Sequence, residues 1–145
     1  MNSTERQTQI SIFSGRGILI ESQGPCWFYG TASEHSQLYQ YQLLNAKNIY
    51  FGHMQTETPY YQPVPDATGP IKANIGGFPY DPDFKDCAGK KECMKAWALR
   101  VIKSSNIYVY SAGFYSFFQD VSCILSPLEK IHAHLLVVNP VVLAY

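Results

Sequence analysis

Two glutamates carry the chemical possibilities of this chain. Glu34 stands in Gly30-Thr-Ala-Ser-Glu-His35, and Glu57 stands in Gln55-Thr-Glu-Thr-Pro-Tyr-Tyr-Gln62, 23 positions later (34 to 57). Tyr39-Gln-Tyr-Gln42 lies between them, so the surroundings are rich in rings and amides and poor in other charges. Two carboxyl groups brought together can divide roles, one holding a proton as general acid and the other staying charged as base. Glycoside hydrolysis needs that division, with roughly 5–5.5 Å between carboxyls for retention and 6.5–9.5 Å for inversion. Spacing along the chain does not choose between these outcomes. Two arbitrary glutamates are more often a solvated surface pair than a site.

Other groups offer less. His35 adjoins Glu34 and His53 is near Glu57, while His132 and His134 lie in the tail. No compact ligand spacing appears, so no metal and no other cofactor is expected; the histidines read better as the polar wall of a cleft. Cys26 and Cys123 show no Cys-x-x-Cys and no Cys/His grouping, and read as buried or unpaired thiols. Ser14-Gly-Arg-Gly17 lacks the pattern of a phosphate loop. Trp27, Tyr29, Tyr39 and Tyr41 are candidate sugar-stacking platforms, although a single ring is more often core.

These residues must be positioned by short strands. Ile10–Phe13, Gly17–Ser22, Cys26–Tyr29, Gln37–Leu43 and Ile49–Phe51 are β-like runs bounded by Gly, Pro, Asn and Ser. No stretch of ten or more residues has a clean helical period with caps. A weak internal repeat aligns Tyr41–Tyr50 with Leu99–Tyr108, matching Leu43 with Val101, Asn48 with Asn106, Ile49 with Ile107 and Tyr50 with Tyr108. The pattern suits a solenoid coil, in which a corner asparagine can stack on its counterpart in the next coil. The 23 positions between the glutamates are about one coil. In a β-solenoid they would lie on neighbouring strands about 4.8 Å apart. The repeat offset of 58 positions (48 to 106) would span two or three coils with a loop inserted. The competing reading is two similar hairpins in a sandwich. The loop, Tyr60–Asp86, carries Pro63, Pro65, Pro70, Pro79 and Pro82, and its Tyr60, Tyr61, Phe78, Tyr80 and Phe84 predict that it is packed down. Cys87 and Cys93, six apart, offer a disulfide that fastens its far end and implies an oxidising compartment.

The bulk properties exclude several classes. At 145 residues the chain is one domain's worth, and 46% hydrophobic with 15% charged residues makes it globular. Eleven cationic residues balance eleven acidic ones, which leaves no basic field for nucleic acid and no polybasic handle for a membrane. A neutral partner fits best. The apolar run at the C-terminus is broken by Asn139-Pro140, and no run reaches the roughly 18–20 residues that span a bilayer. The first nine residues are polar and carry no signal peptide. That conflicts with secretory cysteines unless the true N-terminus lies further upstream.

Several motifs, in order, resemble a known family. They are Arg16-Gly-Ile-Leu-Ile-Glu-Ser-Gln-Gly-Pro25, Trp27-Phe-Tyr-Gly-Thr-Ala-Ser-Glu-His35, Tyr39-Gln-Tyr-Gln-Leu43, Ala46-Lys-Asn-Ile-Tyr50, Gln55-Thr-Glu-Thr-Pro-Tyr-Tyr-Gln-Pro63 and Ala96-Trp-Ala-Leu-Arg100. They resemble the C-terminal part of the fungal exo-β-1,3-glucanases of glycoside hydrolase family 55, across residues 14–120. The resemblance implies an all-β fold, a right-handed parallel β-helix of the pectate-lyase-like kind. It also implies two such domains in tandem with a cleft between them, of which this chain would hold part of the second. The implied activity is inverting hydrolysis of β-1,3-glucan from the non-reducing end, releasing glucose outside the cell. Glu57 would be the general acid and Glu34 the water-side carboxylate. Trp27, Tyr29, His35, Tyr39, Gln40, Gln55, Tyr60 and Tyr61 would contact substrate, and Cys87–Cys93 would be a disulfide.

The expected organisation is therefore a polar lead-in at 1–13, a partial β-helix at 14–120 and a divergent tail at 121–145 that does not continue the strands. The expected partner is β-1,3-glucan, with no nucleic acid and no membrane, and with a missing N-terminal β-helix domain needed to complete the cleft. The alternative is a non-catalytic β-helix fragment that retains carbohydrate binding.

Overall fold

The computed structural model describes residues 12–59, 61–90, 93–116, 135–137 and 141–143. Its regular structure is β-strand apart from two short 3-10 turns, Gly69–Asn74 and Lys85–Cys87. The strands are β1 (Ile18–Ile20), β2 (Cys26–Phe28), β3 (Thr31–Glu34), β4 (Tyr39–Leu44), β5 (Lys47–Phe51), β6 (Met54–Glu57), β7 (Trp97–Ile102), β8 (Ser105–Val109), β9 (Ala112–Tyr115), β10 (Leu135–Val137) and β11 (Val141–Leu143).

Every pairing among the described residues is parallel. The first sheet runs β1-β4-β7-β10, the second β2-β5-β8-β11 and the third β3-β6-β9. Each sheet takes every third strand, so each triplet of consecutive strands visits the three sheets in the same sequence. Strands stay short because a turn must follow within a few residues. Asn45 and Lys103 hold the same turn one triplet apart, with φ of 52° and 48°. Asn48 and Asn106 are also left-handed, a conformation that asparagine tolerates better than most residues. Their side chains stack as a ladder, Asn106 Nδ2 donating to Asn48 Oδ1 at 2.8 Å.

Register corrects one expectation. Ile49 pairs with Ile107 and Leu43 with Val101 directly. The offset of 58 is therefore one step between adjacent strands, not two or three coils. The extra residues leave as a single excursion between β6 and β7, with the sheets closing beneath it. A second correction concerns the tail. Within 121–145, β10 pairs with β7 and β11 with β8, both parallel, so the strand pattern does continue there.

The main core lies where the three sheets face one another. It gathers Tyr41, Leu43, Leu99 and Val101 from the first sheet, Ile49, Phe51, Ile107 and Val109 from the second, and Met54 from the third. Phe114 of β9 packs against it. Each such side chain contributes about 1.5–3 kcal/mol when fully buried. Inward Met54 and Thr56 alternate with outward Gln55 and Glu57 along β6, the two-residue period of a strand with one face on a core.

β4 departs from that alternation, because all six of its residues are buried. The loop between β6 and β7 covers its other side. There Leu38, Tyr39, Ala67, Ile71, Phe84 and Cys87 form a second cluster. The Cys87–Cys93 disulfide, with Cα atoms 5.4 Å apart, closes the loop's far end. Arg16 holds the middle of the loop. Its Nε donates to Asp81 Oδ1 at 2.8 Å, and its second arm reaches Asp81 Oδ2 and the Asn74 carbonyl. The guanidinium also lies over the Phe78 ring at 4.7 Å. Phe13, assigned by sequence to the lead-in, packs edge-on against Tyr61 at 5.3 Å.

Candidate active site

Glu34 and Glu57 are the last residues of β3 and β6, and they are partners in the parallel register. Both side chains leave the outer face of the third sheet, beside Gln55. The Gln55 amide donates to Glu34 Oε1 at 2.9 Å, which fixes the direction of that carboxylate. His35 follows β3 in a left-handed turn, φ 61°. Its N–H donates to the Glu57 carbonyl at 2.9 Å, extending the ladder one residue beyond the strands. The imidazole Nε2 lies 3.1 Å from Glu57 Oε2, in a contact where either atom can carry the proton. Glu57 has a side-chain exposure of 19% and His35 of 43%, so the acid is sheltered but reachable.

One side-chain atom each from Glu34, His35 and Glu57 falls within a 4.8 Å group. The 23-residue spacing pointed to neighbouring strands for the two glutamates, and parallel register brings them together with His35. The same closeness bears on mechanism. Inverting pairs keep roughly 6.5–9.5 Å between carboxyls so that a water fits on the far side of the sugar. Glu34 and Glu57 stand side by side on one sheet face and leave no such gap. The pair as placed therefore does not form a direct opposition across a water.

The remaining sequence candidates divide. Trp27 on β2 and Tyr29 just after it are exposed by 59% and 80%, but they lie on the outer face of the second sheet. Tyr39 and Gln40 are corrected: both are buried, at 1% and 0% exposure, and neither offers a surface to a substrate. Tyr39 belongs to the cluster beneath the loop. Gln40 spends its amide on the Ser36 backbone, accepting from the Ser36 N–H at 3.0 Å and donating to its carbonyl at 2.9 Å. The sequence shows the rings and amides of β4 but not the loop that lies over them. Tyr61 is half-buried, and desolvation pushes its phenol up to about 12. Tyr60 lies outside the described residues, as does Cys123. Cys26 is a free thiol, its Sγ 3.2 Å from Ser22 Oγ.

Two residues of this face were missed by sequence reasoning. Tyr115 of β9 is the register partner of Glu57, and Gly113 that of Gln55. The Tyr115 ring lies back across Gly113: a Cβ there would sit 3.0 Å from Tyr115 Cε2 and 3.2 Å from its hydroxyl oxygen. Glycine at 113 thus lets a half-exposed ring lie flat beside the carboxylates. The signal was available in the repeat offset of 58, which carries Glu57 onto Tyr115.

No protein-family model matches the chain. Curated fungal proteins are similar to it, among them the following three. A protein of Penicillium expansum named "Non-secreted LysM effector LysM15" is 56% identical over 107 residues, covering 73% of this chain and 7% of that protein. A "Probable glucan endo-1,3-beta-glucosidase" of Arthroderma benhamiae is 51% identical over 112 residues, covering 77% and 12%. A "Glucan 1,3-beta-glucosidase" of Cochliobolus carbonum is 36% identical over 118 residues, covering 80% and 14%. The chain is thus homologous to a segment of proteins named as glucan glucosidases, of which it spans 12% and 14%, and it spans 7% of the protein named as an effector.

Proposed function

We propose that this chain carries the general-acid face of a β-1,3-glucan hydrolase of glycoside hydrolase family 55, on one side of a right-handed parallel β-helix. The observation that supports it most is the register pairing of Glu34 with Glu57 on one open sheet face, in a chain 51% and 36% identical to segments of two named glucan glucosidases. Glu57 protonates the leaving glycosidic oxygen, with His35 at 3.1 Å holding the carboxyl in place and able to return the proton. Glu34, oriented by Gln55, acts on the water from the side. The group directly opposite the leaving oxygen belongs to an opposing wall, supplied by another part of a longer protein. Tyr115 gives the glucan ring a flat surface next to the acid. Exo attack with inversion and release of glucose is the reading that follows from the motifs. A disulfide at Cys87–Cys93 favours an oxidising, extracellular setting.

Laminarin is the test substrate. The full chain is assayed alone and together with the upstream part of a homologue, with sugar release followed by chromatography and anomeric configuration by NMR. Glu57→Gln should lower turnover by at least about 100-fold while the circular dichroism is unchanged. Turnover that survives Glu57→Gln would remove Glu57 from the acid role.

A second reading is a non-hydrolytic glucan-binding segment. It is favoured by the most identical of these three relatives, whose name describes an effector and not a hydrolase. Binding to laminarin without sugar release, even with the homologue's upstream part present, would decide for it.

A further inference from the structure

A patch of exposed rings lies away from the carboxylates, on the outer face of the second sheet. Trp27, Tyr50 and Tyr108 occupy one register row across β2, β5 and β8. Neighbouring strands in a sheet are about 4.8 Å apart, so these rings form a ladder running across the strands. The row above them is the Asn48–Asn106 amide ladder. Tyr50 also stands between Tyr29 and Tyr110, with ring centroids 6.3 Å and 5.0 Å away. Gly52 sits close beside Tyr29 and Tyr50. A Cβ at 52 would stand 3.4 Å from the Tyr50 ring and 3.1 Å from the Tyr29 carbonyl oxygen.

The result is a hollow of about 320 Å³ lined by Pro25, Trp27, Asn48, Tyr50, Tyr108 and Tyr110, with Ile49 at its floor. None of these residues carries a charge. Apart from proline, the one aliphatic member, Ile49, is fully buried. What the hollow presents is therefore flat ring faces edged by hydroxyls, an indole N–H and amides. A protein partner would be served by an aliphatic or aromatic centre with a polar rim, whereas here polar tips are interleaved with the rings throughout. A neutral pyranose chain matches the pattern: apolar on its ring faces, hydroxylated on its edges and uncharged. Trp and Tyr suit such contacts because they offer large rigid area at small entropic cost.

We infer that the outer face of the β2-β5-β8 sheet is a second glucan-contact surface, separate from the Glu34–Glu57 face, which holds a neutral β-linked glucan chain without cleaving it. The choice of glucan rests on the proposed function; the neutral, hydroxylated character of the ligand rests on the lining itself. The ladder is three rungs long, since the next register position on β11 is Val142. It thus suits a short stretch of polymer, not a single sugar.

The test uses the full chain, laminarin as probe, and three proteins: wild type, Trp27→Ala with Tyr108→Ala, and Glu57→Gln. Affinity electrophoresis or calorimetry reads binding, sugar release reads hydrolysis, and sedimentation reads assembly. Trp27 and Tyr108 are exposed, so their loss should leave the thermal midpoint unchanged. The expected result is a drop of tenfold or more in laminarin affinity for the double variant, while Glu57→Gln still binds laminarin and loses turnover. Equal laminarin affinity in wild type and the double variant would overturn the inference, as would a wild type that does not bind laminarin. A wild-type dimer abolished by the double substitution, with laminarin affinity unmoved, would assign the face to protein contact instead. Loss of binding in the double variant with hydrolysis indifferent to Glu57→Gln would sink the acid assignment and leave this surface standing.

Discussion

Asp81→Asn tests whether the long loop is held to the sheet by one buried charge. The Asp81 side chain is 1% exposed and Arg16 is 19% exposed. Asp81 accepts from both arms of Arg16 and from the backbone N–H groups of Gly76 at 3.1 Å and Phe78 at 3.3 Å. Asparagine keeps the shape but removes the charge, and its NH2 must face at least one of these donors. Breaking a buried pair from one side costs about 3–5 kcal/mol. Only a single layer of loop separates this pair from solvent, which moves the expectation to the lower end, about 3 kcal/mol. For a chain of this size that lowers Tm by roughly 10 °C. The pH dependence follows from the same contacts. Burial alone would raise the Asp81 carboxyl, but the hydrogen bonds from Arg16, Phe78 and Gly76 outweigh it and hold it below its ordinary value. Arg16 moves the other way, raised chiefly by its hydrogen bond to Asp81, and stays charged throughout. A depressed carboxyl stabilises the fold above its unfolded value, about 3.9, and this contribution disappears as pH falls through the folded value. Thermal unfolding followed by circular dichroism at pH 7 and at pH 2–3 should show a large gap between wild type and Asp81→Asn at pH 7 that narrows in acid. Arg16→Met combined with Asp81→Leu should cost less than either alone, because no orphaned charge remains. A shift under about 2 °C for Asp81→Asn at pH 7, or a gap that persists in acid, would refute the reasoning.

Gly17→Ala should be severely destabilising, because a Cβ there would sit 2.6 Å from Ser33 Oγ and closer still to the Gln40 carbonyl oxygen; chemical denaturation reads the loss. Gly113→Ala should displace the Tyr115 ring, lowering laminarin turnover while changing stability little, since Gly113 sits on the half-open outer face. Replacing Cys87 and Cys93 together by Ser should cost about 2 kcal/mol, the loop-closure entropy of so short a ring, and should loosen the loop to limited proteolysis ahead of the sheets. Leu99→Ala, in the main core, should cost about 2–5 kcal/mol in the same denaturation assay.

Much of the site was legible because parallel register between every third strand converts sequence separation into contact. Residues 23 positions apart, Glu34 and Glu57, became strand partners. Asn48 and Asn106 were matched by pattern and proved to be hydrogen-bonded. What the sequence determined by itself was most of the run of short strands and the excursion after Glu57, which follow from local turn chemistry and β-branched or aromatic runs; β3 and β6, which carry the glutamates, were not among the runs read as strands. Other features were decided by the tertiary structure alone. Tyr39 and Gln40 looked like binding residues until the loop covered them, and burial by a distant segment leaves no trace in a strand's own pattern. The offset of 58 was one step and not several, because an inserted loop changes the count along the chain without changing the register across the sheet. The placement of Trp27 and Tyr29 on a different face from Glu34 came from the corner at Tyr29-Gly30, where a change of strand direction separates residues that stand close together in sequence.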